Sequence, residues 1–272
     1  MELINDLIVS IYEAGSRTEA YSIINTIANY TAILLGFIHG MKLRVGVIAV
    51  AVSIAVERYL SGPLATAIVY VENGFKDTGQ QNAVVAFVFV PLIGFLLSKL
   101  LRKSYKELWD VMMVVPLMMF AGARIACTVS GCCRGYPCGW GLYNVKTGEI
   151  CFPIQLLECL VAVSILIFVF FKEKKNNYVP DGKNVPIILI SYGIARFFLE
   201  FLHDNTKIVA GLASTQFHCL FMIAVGVFAL WIIKRSERKE MSAPHMDDQQ
   251  TPNFHETGNA EPDRSDRCVS LQ

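Results

Sequence analysis

Residues 83–101 read AVVAFVFVPLIGFLLSKLL, a run in which Lys99 is the single charged residue. A helix of about 20 apolar residues is long enough to cross the hydrocarbon core of a bilayer. Similar runs recur along the chain, and Gly62-Pro63 in the second predicts a kink or, alternatively, two half-helices that meet there. We interpret seven runs as membrane spans: 21–39, 46–71, 83–101, 109–129, 153–171, 185–202 and 212–233.

The composition supports the same fold class. Hydrophobic residues make up 54% of the 272 positions, charged residues 17%, and the mean hydropathy is +0.45. A soluble domain of this size carries a larger charged surface. The net charge of +1 gives no sign of a nucleic-acid partner. We predict an all-α fold, a polytopic membrane helix bundle of about seven transmembrane helices.

Basic residues predict how the bundle is oriented. Connections on one side of the predicted spans hold fourteen lysines and arginines, and those on the other side hold five. The positive-inside rule then places the N-terminus outside and the C-terminus in the cytoplasm. The fourteen are Lys42, Arg44, Lys99, Arg102, Lys103, Lys106, Lys172, Lys174, Lys175, Lys183, Lys234, Arg235, Arg238 and Lys239, and the five are Arg17, Lys76, Arg134, Lys146 and Lys207.

Three segments are predicted along the chain. Residues 1–20 are acidic and lack a basic start, so we expect a short interfacial segment rather than a signal peptide. Residues 21–235 form the transmembrane domain, with an outer cysteine-rich loop at 130–152. Residues 236–272 are polar and show no apolar period, which is typical of a disordered cytoplasmic tail.

Charged residues inside the predicted spans are candidates for function. An arginine at the centre of a membrane helix costs roughly 2.5–3.5 kcal/mol on insertion scales, so Arg124 and Arg196 need partners. Arg196 and Glu200 are four residues apart and share one helix face. Either they form an internal ion pair that fixes helix packing, or the arginines bind an anion such as a phospholipid phosphate. We interpret Glu57-Arg58 as a local structural pair.

The predicted outer loop is rich in cysteine. Disulfides can form outside the cytosol, but their pairing cannot be read from sequence. A metal site is the alternative, although the spacing within the loop is not a standard zinc pattern. We predict a structural disulfide or packed thiols, and no metal site. The candidate cysteines are Cys132, Cys133, Cys138 and Cys151.

Residues 124–135 read RIACTVSGCCRG. This segment resembles the signature of bacterial prolipoprotein diacylglyceryl transferases, in which Gly-Arg-Ile-Gly precedes a glycine-rich element, Gly-Cys-Cys-aromatic-Gly in many members. Here Ala123 replaces the first glycine and Arg134 the aromatic residue. Further elements that resemble the family follow its order, so the resemblance covers about residues 88–226. These elements lie at 91–94, 140–141, 152–158, 192–201 and 216–226.

The resemblance implies a fold, a reaction and a location. Members of this family are seven-helix enzymes of the bacterial inner membrane with the N-terminus outside. They transfer the diacylglyceryl group of phosphatidylglycerol to the lipobox cysteine thiol of a prolipoprotein and release glycerol phosphate. The implied partners are therefore phosphatidylglycerol, a lipobox peptide and membrane lipid, and no metal or soluble cofactor is required.

The resemblance also implies roles for particular residues. Arg124 aligns with the arginine that binds the lipid headgroup. Arg196, oriented by Glu200, would stabilise the leaving phosphate or help to activate the thiol. Gln155 and Glu158 would give polar support near the outer surface, and the loop glycines would lie beside the substrate. These glycines are Gly131 and Gly135.

Several positions depart from the family's pattern. Phe89 stands where the family has a histidine or a tyrosine, and Phe152 stands where the family has a histidine. Cys127 replaces an asparagine. If a histidine is the base, His203 or His218 would have to replace the missing ones. Two alternatives to a transferase therefore remain open. One is a catalytically impaired paralogue that binds lipid without turning it over, and the other is an outer-face thiol–disulfide protein.

Overall fold

The computed structural model describes residues 2–13, 17–76, 83–204, 208–209 and 211–242. Within them, seven helices are long and apolar enough to cross a membrane. The predicted all-α bundle is therefore confirmed, with span boundaries that differ from the prediction by a few residues. The spans are Glu19–Lys42, Val47–Glu72, Ala83–Leu101, Tyr105–Ser130, Ile154–Lys175, Asn184–Leu202 and Ser214–Lys239.

The described chain contains helices and two short hairpins. The helices are α1 (Glu2–Glu13), α2 (Arg17–Lys42), α3 (Val47–Glu72), α4 (Ala83–Leu101), α5 (Tyr105–Met112), α6 (Val114–Ser130), α7 (Ile154–Lys175), α8 (Asn184–Leu199) and α9 (Ser214–Ser242), with a 3-10 turn at Glu200–Leu202. The strands are β1 (Pro137–Asn144), β2 (Glu149–Cys151), β3 (Ile208–Val209) and β4 (Leu212–Ala213), paired β1 with β2 and β3 with β4, both antiparallel.

The connections divide between the two ends of the bundle. The β1–β2 hairpin, the 3-10 turn and the β3–β4 hairpin lie at one end, which we call the hairpin end. The connections 43–46, 102–104 and 176–183 lie at the opposite end. Most of the basic residues that oriented the prediction are in or next to the opposite-end connections.

The fourth span is built from two helices. α5 begins at Tyr105 after Ser104, whose hydroxyl accepts a hydrogen bond from the Lys106 amide at 3.3 Å. α5 gives way to α6 at Met113 without leaving the helical region. Residues 108–115 are buried throughout, so this junction forms the centre of the apolar core.

Two helices, α3 and α4, contain a proline beyond their first turn. α3 continues as one helix through Pro63, so the alternative of two half-helices is wrong. In α4, Pro91 accepts a hydrogen bond at its carbonyl from Nε1 of Trp109 at 2.9 Å, which ties α4 to α5. A proline removes one helical hydrogen bond, and burial against neighbouring helices compensates for that loss.

α2 and α6 approach each other closely. A Cβ on Gly122 would overlap the Cβ of Ala28, and a Cβ on Gly36 would overlap a methyl group of Val115. Small residues at such contacts let two helix backbones pack tightly in a membrane. The outer faces of other helices carry large apolar side chains that are more than half exposed, as a lipid-facing surface requires: Leu96, Leu100, Phe171, Phe221 and Phe228.

The described residues near the two ends of the chain are helical. The predicted interfacial segment contains a helix, α1, and α2 begins at Arg17, before the predicted boundary at residue 21. α1 contacts β1, because Asn5 donates to the Gly141 carbonyl at 3.3 Å and accepts from the Tyr143 amide at 3.0 Å. α9 continues to Ser242, so the first residues of the predicted tail are helical. Residues 243–272 lie outside the described residues.

Candidate functional site

Five charged or titratable side chains meet at the hairpin end. They come from the C-terminal part of α6, the start of α7, the last turn of α8 and the 3-10 turn that follows α8. We call them the Glu158 cluster: Arg124, Glu158, Arg196, Glu200 and His203. Helices distant in sequence therefore bring together all three residues predicted to be catalytic and two of the five predicted to bind substrate.

Glu158 is the centre of the cluster and is fully buried. Its Oε2 lies 2.9 Å from Nε of Arg124. Its Oε1 lies 3.0 Å from Nη1 of Arg196 and 3.1 Å from Nε2 of His203. One carboxylate thus contacts two arginines and a histidine, which is a more central position than the polar support predicted from the sequence.

Arg196 and Glu200 form the predicted pair on one helix face. Nη1 of Arg196 lies 2.5 Å from Oε2 of Glu200, and both residues are buried. Because the same Nη1 also contacts Glu158, Arg196 is shared between two carboxylates. The structural interpretation of this pair is therefore correct, and it does not exclude an anion at the remaining donors of the guanidinium.

The ion pairs in the cluster are close but not aligned as hydrogen bonds. Among the described residues, Nε of Arg124 and Oε2 of Glu158 have no hydrogen-bond partner, although they lie 2.9 Å apart. The guanidinium carbon of Arg124 lies 4.5 Å from the centre of the Phe120 ring, a cation–π contact. Arg124 thus meets the protein through its Nε and its planar face, which leaves the edge with the terminal amino groups for another anion.

Arg124 has an ion-pair partner that the sequence analysis did not assign to it. From the sequence we expected that Arg124 and Arg196 need partners, and Glu200 was the one carboxylate assigned to them. Glu158 supplies a carboxylate to Arg124 directly. The prediction missed it because Glu158 was treated as a residue near the surface, whereas the argument from the cost of a buried charge applies to it as much as to the arginines.

Tyr192 is a further polar group beside the cluster. Its side chain is fully buried, and its hydroxyl has no hydrogen-bond partner among the described residues. The ring packs edge-on against Phe87 and Phe120, with centroids 5.4 and 5.1 Å apart. Tyr192 is four residues before Arg196 on α8, so the two side chains share one helix face. A buried donor without a partner is a candidate for a ligand contact.

The loop residues predicted to bind substrate have backbone roles. Gly131 ends α6 with a φ of 66°, in the left-handed region that favours glycine. Gly135 pairs with His203 in an isolated β-bridge, and a Cβ at Gly135 would lie 2.6 Å from the Phe152 carbonyl. Nε2 of Gln155 donates to the Cys132 carbonyl at 2.8 Å. These contacts hold the loop against the start of α7 and the turn that carries His203.

The prediction for the loop cysteines, a structural disulfide or packed thiols, stays a prediction. All seven cysteines that the structure describes are free thiols. Cys138 and Cys151 lie on the hairpin, whereas Cys132 and Cys133 turn back toward Cys127 at the end of α6. The sulfur atoms of these last three lie within 4.8 Å of one another. Cys132 was predicted to belong with the loop cysteines, and Cys127 stood outside that group because it belongs to the helix.

The two candidate histidines lie in different places. His203 is in the Glu158 cluster, where its side chain is 6% exposed. His218 is on α9 and contacts Glu72 of α3, with Nε2 2.6 Å from Oε1. Of the two, His203 therefore has the position that a base beside the arginines requires.

Glu57 and Arg58 point to different surroundings. Glu57 is buried and accepts a hydrogen bond from the Ser61 hydroxyl at 2.9 Å, whereas Arg58 is exposed on the surface of α3. Neighbouring residues on a helix do not face each other. Glu57 contacts Ser61, one turn further along α3, and is not one of the residues of the Glu158 cluster.

Comparisons with known proteins agree with this arrangement. The sequence model of the prolipoprotein diacylglyceryl transferases matches residues 83–232, more than half of the chain. The chain belongs to this family. The match includes every member of the Glu158 cluster, so the buried charges lie in the part of the chain that the family shares.

Individual relatives are similar at modest identity. A protein from Clostridium perfringens named phosphatidylglycerol–prolipoprotein diacylglyceryl transferase 2 is 28% identical over 202 residues, 66% of this chain and 78% of the relative. One from Clostridium tetani is 28% identical over 62% of this chain and 73% of its own length. One from Campylobacter hominis is 29% identical, and there the match spans 57% of the relative. Both carry the name phosphatidylglycerol–prolipoprotein diacylglyceryl transferase.

The two phenylalanines that depart from the family's pattern are packed into apolar surroundings. Phe152 stacks on Tyr136, with ring centroids 5.6 Å apart and planes at 12°, and meets Trp140 edge-on. Phe89 lines an apolar cavity of about 730 Å³ between α3, α4 and α9. Neither ring can transfer a proton, so any proton acceptor among the described residues must be another group.

Proposed function

We propose that this protein transfers the diacylglyceryl group of phosphatidylglycerol to the cysteine thiol of a prolipoprotein and releases glycerol phosphate. One observation carries the proposal. Arg124 and Arg196, on different helices, converge on the buried Glu158 beside His203. The family's donor and acceptor, as its members are named, are a phospholipid and a prolipoprotein. A phosphate needs cationic donors, and a thiol needs a proton acceptor.

The two arginines would bind the lipid phosphate. Glu158 uses one edge of Arg124 and one amino group of Arg196, so donors of both guanidinium groups remain for phosphate oxygens. Arginine's planar fork matches a phosphate in two parallel hydrogen bonds. In a buried site with little water, such donors stabilise the charge that develops on the leaving phosphate. Glu158 and Glu200 would keep the arginines fixed before the lipid arrives.

His203 would accept the proton of the incoming thiol. The thiolate is the nucleophile in cysteine chemistry, so a nearby base speeds the attack. The sulfur forms a bond to the glyceryl carbon while the bond between that carbon and the phosphate oxygen breaks. The proton goes to His203, which Glu158 orients through Nε2, and glycerol phosphate leaves with the electron pair.

We place the protein in the bacterial cytoplasmic membrane, with the hairpin end outside. The excess of basic residues near the opposite end supports this orientation. Reporter fusions test it. A fusion within 130–152 should report an external location, and one within 102–107 a cytoplasmic location. Both fusions on one side of the membrane would contradict the orientation.

The assay for the activity uses purified protein, phosphatidylglycerol and a lipobox peptide. We expect glycerol phosphate to appear together with a thioether-linked peptide, one for one. The matched control is the same peptide with serine in place of cysteine, which should release none. If the protein binds phosphatidylglycerol but never releases glycerol phosphate from the cysteine peptide, the transferase proposal fails.

A catalytically impaired, lipid-binding member of the family is the second candidate. Phe89 and Phe152 favour it, since both stand where the family has groups that hydrogen-bond or carry protons. The assay above separates the two candidates, because both predict lipid binding by Arg124 but only the transferase predicts release. Failure of phosphatidylglycerol to bind at all would remove both.

A further inference from the structure

The thiols of Cys127, Cys132 and Cys133 form a cluster that the proposed transfer does not use. Cys127 lies in the last turn of α6 and is buried, Cys132 is half-buried, and Cys133 is exposed. Gly131 and Cys133 both adopt left-handed conformations, with φ of 66° and 53°. This tight reversal turns the chain back so that the two loop thiols meet the thiol of the helix.

The cluster has the dimensions of a metal site. The three sulfur atoms lie within 4.8 Å of one another. Three thiolates around one ion at a metal–sulfur distance of 2.3 Å would be separated by roughly 3.8–4.0 Å. A contraction of less than about 1 Å would therefore place all three at bonding distance. Rotation about the χ1 angles can supply such a contraction.

A polar contact also holds one of the three sulfur atoms in place. Oγ of Ser130 donates to Sγ of Cys132 at 3.0 Å. Metal ligands must be deprotonated, so an ion that binds here would displace the thiol protons.

A disulfide is a poorer use of the same thiols. Cys132 and Cys133 are adjacent, and consecutive Cα atoms are 3.8 Å apart, below the usual 4.4–6.8 Å of a disulfide. A bridge from Cys127 to either of them would leave the third thiol unused. A metal ion uses all three sulfur atoms together.

We propose that Cys127, Cys132 and Cys133 bind one soft, thiophilic d¹⁰ metal ion, such as Zn²⁺ or Cu⁺, with a fourth position open beside the exposed Cys133. Thiolate ligands select ions of this class, and three protein ligands leave a position for water or an external thiol. Binding releases the thiol protons and involves no oxidation. The proposed lipid clamp uses Arg124 and Arg196 and none of the three thiols, so the metal site stands whether or not the chain transfers diacylglycerol.

The ion would also stiffen the wall of the Glu158 cluster. The Cys132 carbonyl accepts a hydrogen bond from Gln155, one turn before Glu158 on α7. Two residues beyond Cys133, Gly135 pairs with His203. An ion that joins the end of α6 to this turn would therefore fix both contacts. Ligands that bind the folded state alone raise its stability, so the thermal midpoint should rise with metal concentration.

Cd²⁺ is the probe for the test, because cadmium thiolates have a charge-transfer absorption in the ultraviolet. Full-length protein in detergent is first reduced and then titrated under inert gas. We expect one Cd²⁺ per chain, and Cd²⁺ should also displace Zn²⁺ from protein that was loaded with Zn²⁺ first. Cys127→Ser, Cys132→Ser and Cys133→Ser should each weaken binding by at least about 100-fold, since changes of outer-shell groups alone cost 10- to 100-fold. Cys138→Ser and Cys159→Ser are the matched controls and should bind as the wild type does.

A second measurement needs no variant. Alkylation of the native protein followed by mass spectrometry should show that Cd²⁺ protects Cys132 and Cys133, while Cys138 reacts equally with and without the ion. If wild-type protein binds no Cd²⁺, or if Cys138→Ser weakens binding as much as Cys133→Ser does, the site does not exist. Equal labelling of Cys133 with and without Cd²⁺ would overturn the proposal as well.

Discussion

Two clusters of buried polar side chains lie near opposite ends of α7, and their hydrogen bonding differs. Near the start of α7 is the Glu158 cluster. Near its end, Glu173 is held by His39, whose Nε2 lies 2.9 and 2.8 Å from the two carboxylate oxygens. Glu173 also accepts from Nδ2 of Asn184 at 2.5 Å. We call His39, Glu173, Asn184 and Asp110 together the Glu173 cluster.

Every carboxylate oxygen of the Glu173 cluster has a hydrogen-bond partner. Asp110 accepts from the backbone amides of Asp181 and Gly182 at 2.8 Å and of Asn184 at 3.0 Å. These bonds tie the connection between α7 and α8 to α5. The one buried atom of the cluster without a partner among the described residues is Nδ1 of His39. Such a network is complete without a ligand and serves to join helices.

The Glu158 cluster is not complete in this sense. Among the described residues, its two guanidinium groups have N–H donors that Glu158 does not use, and its ion pairs are not aligned as hydrogen bonds. The neighbouring hydroxyl of Tyr192 has no hydrogen-bond partner among the described residues either. Buried polar groups left in this state are costly, and they usually mark a place where a ligand completes the network. The difference supports the proposal that the Glu158 cluster binds a ligand, whereas the Glu173 cluster joins helices without one.

Arg124→Ala should have the largest effect on function. Loss of one phosphate donor in a buried site should lower the rate of glycerol phosphate release by about 100- to 1,000-fold. Stability should fall by less than the roughly 3–5 kcal/mol expected for breaking an isolated buried pair, because Arg196 and His203 still contact Glu158. Release of glycerol phosphate and the thermal midpoint measure the two effects.

Arg134→Ala is the matched control for that variant. Arg134 forms ion pairs with Glu149 and Asp204 at the hairpin end, but its side chain is 31% exposed. Exposed pairs contribute roughly 0–1 kcal/mol, so both stability and rate should stay close to the wild type. If the two variants lose activity equally, the Glu158 cluster has no special role.

His203→Gln should lower the rate by about 100-fold, the lower limit for general acid–base catalysis. Glutamine can still hydrogen-bond to Glu158 but cannot accept the proton of a thiol, so the loss should appear in the rate at saturating phosphatidylglycerol. His218→Gln is the matched control and should keep the rate, because His218 contacts Glu72 on another side of the bundle. A wild-type rate in His203→Gln would remove the base from this position.

Arg124→Lys should have a smaller effect than Arg124→Ala. Lysine keeps the charge but loses the planar fork and the contact of the guanidinium with Phe120. A loss of one hydrogen bond to a charged group predicts a rate about tenfold to a hundredfold below the wild type. Rates at several concentrations of phosphatidylglycerol would show whether the loss is in binding or in the chemical step. Full activity with lysine would mean that charge alone suffices.

The sequence was sufficient to predict the helices and the arginines. Apolar runs of span length identify the spans, and the cost of burying charge singles out Arg124 and Arg196 whatever they contact. The spacing of Arg196 and Glu200 gave their shared helix face. These inferences rest on local patterns, which do not depend on how the helices are arranged.

What the sequence did not predict depends on which helices pack together. Glu158 meets Arg124 and Arg196 because α7 lies beside α6 and α8, and no local pattern encodes that contact. His39 and Glu173 pair across a long sequence separation for the same reason. The meeting of Cys127 with the loop cysteines depends on the reversal at Gly131, whose left-handed conformation could have been suspected from the glycine after a helix.

The most direct test of this comparison is the same substitution at both ends of one helix, Glu158→Gln and Glu173→Gln. Glutamine keeps the shape of the side chain and removes its charge, and both glutamates are buried. We measure glycerol phosphate release per folded molecule together with the thermal midpoint. Glu158→Gln should lower release by at least about 100-fold, whereas Glu173→Gln should lower the thermal midpoint and leave release within about twofold of the wild type. Equal loss of release in both variants, or full release in Glu158→Gln, would contradict the account.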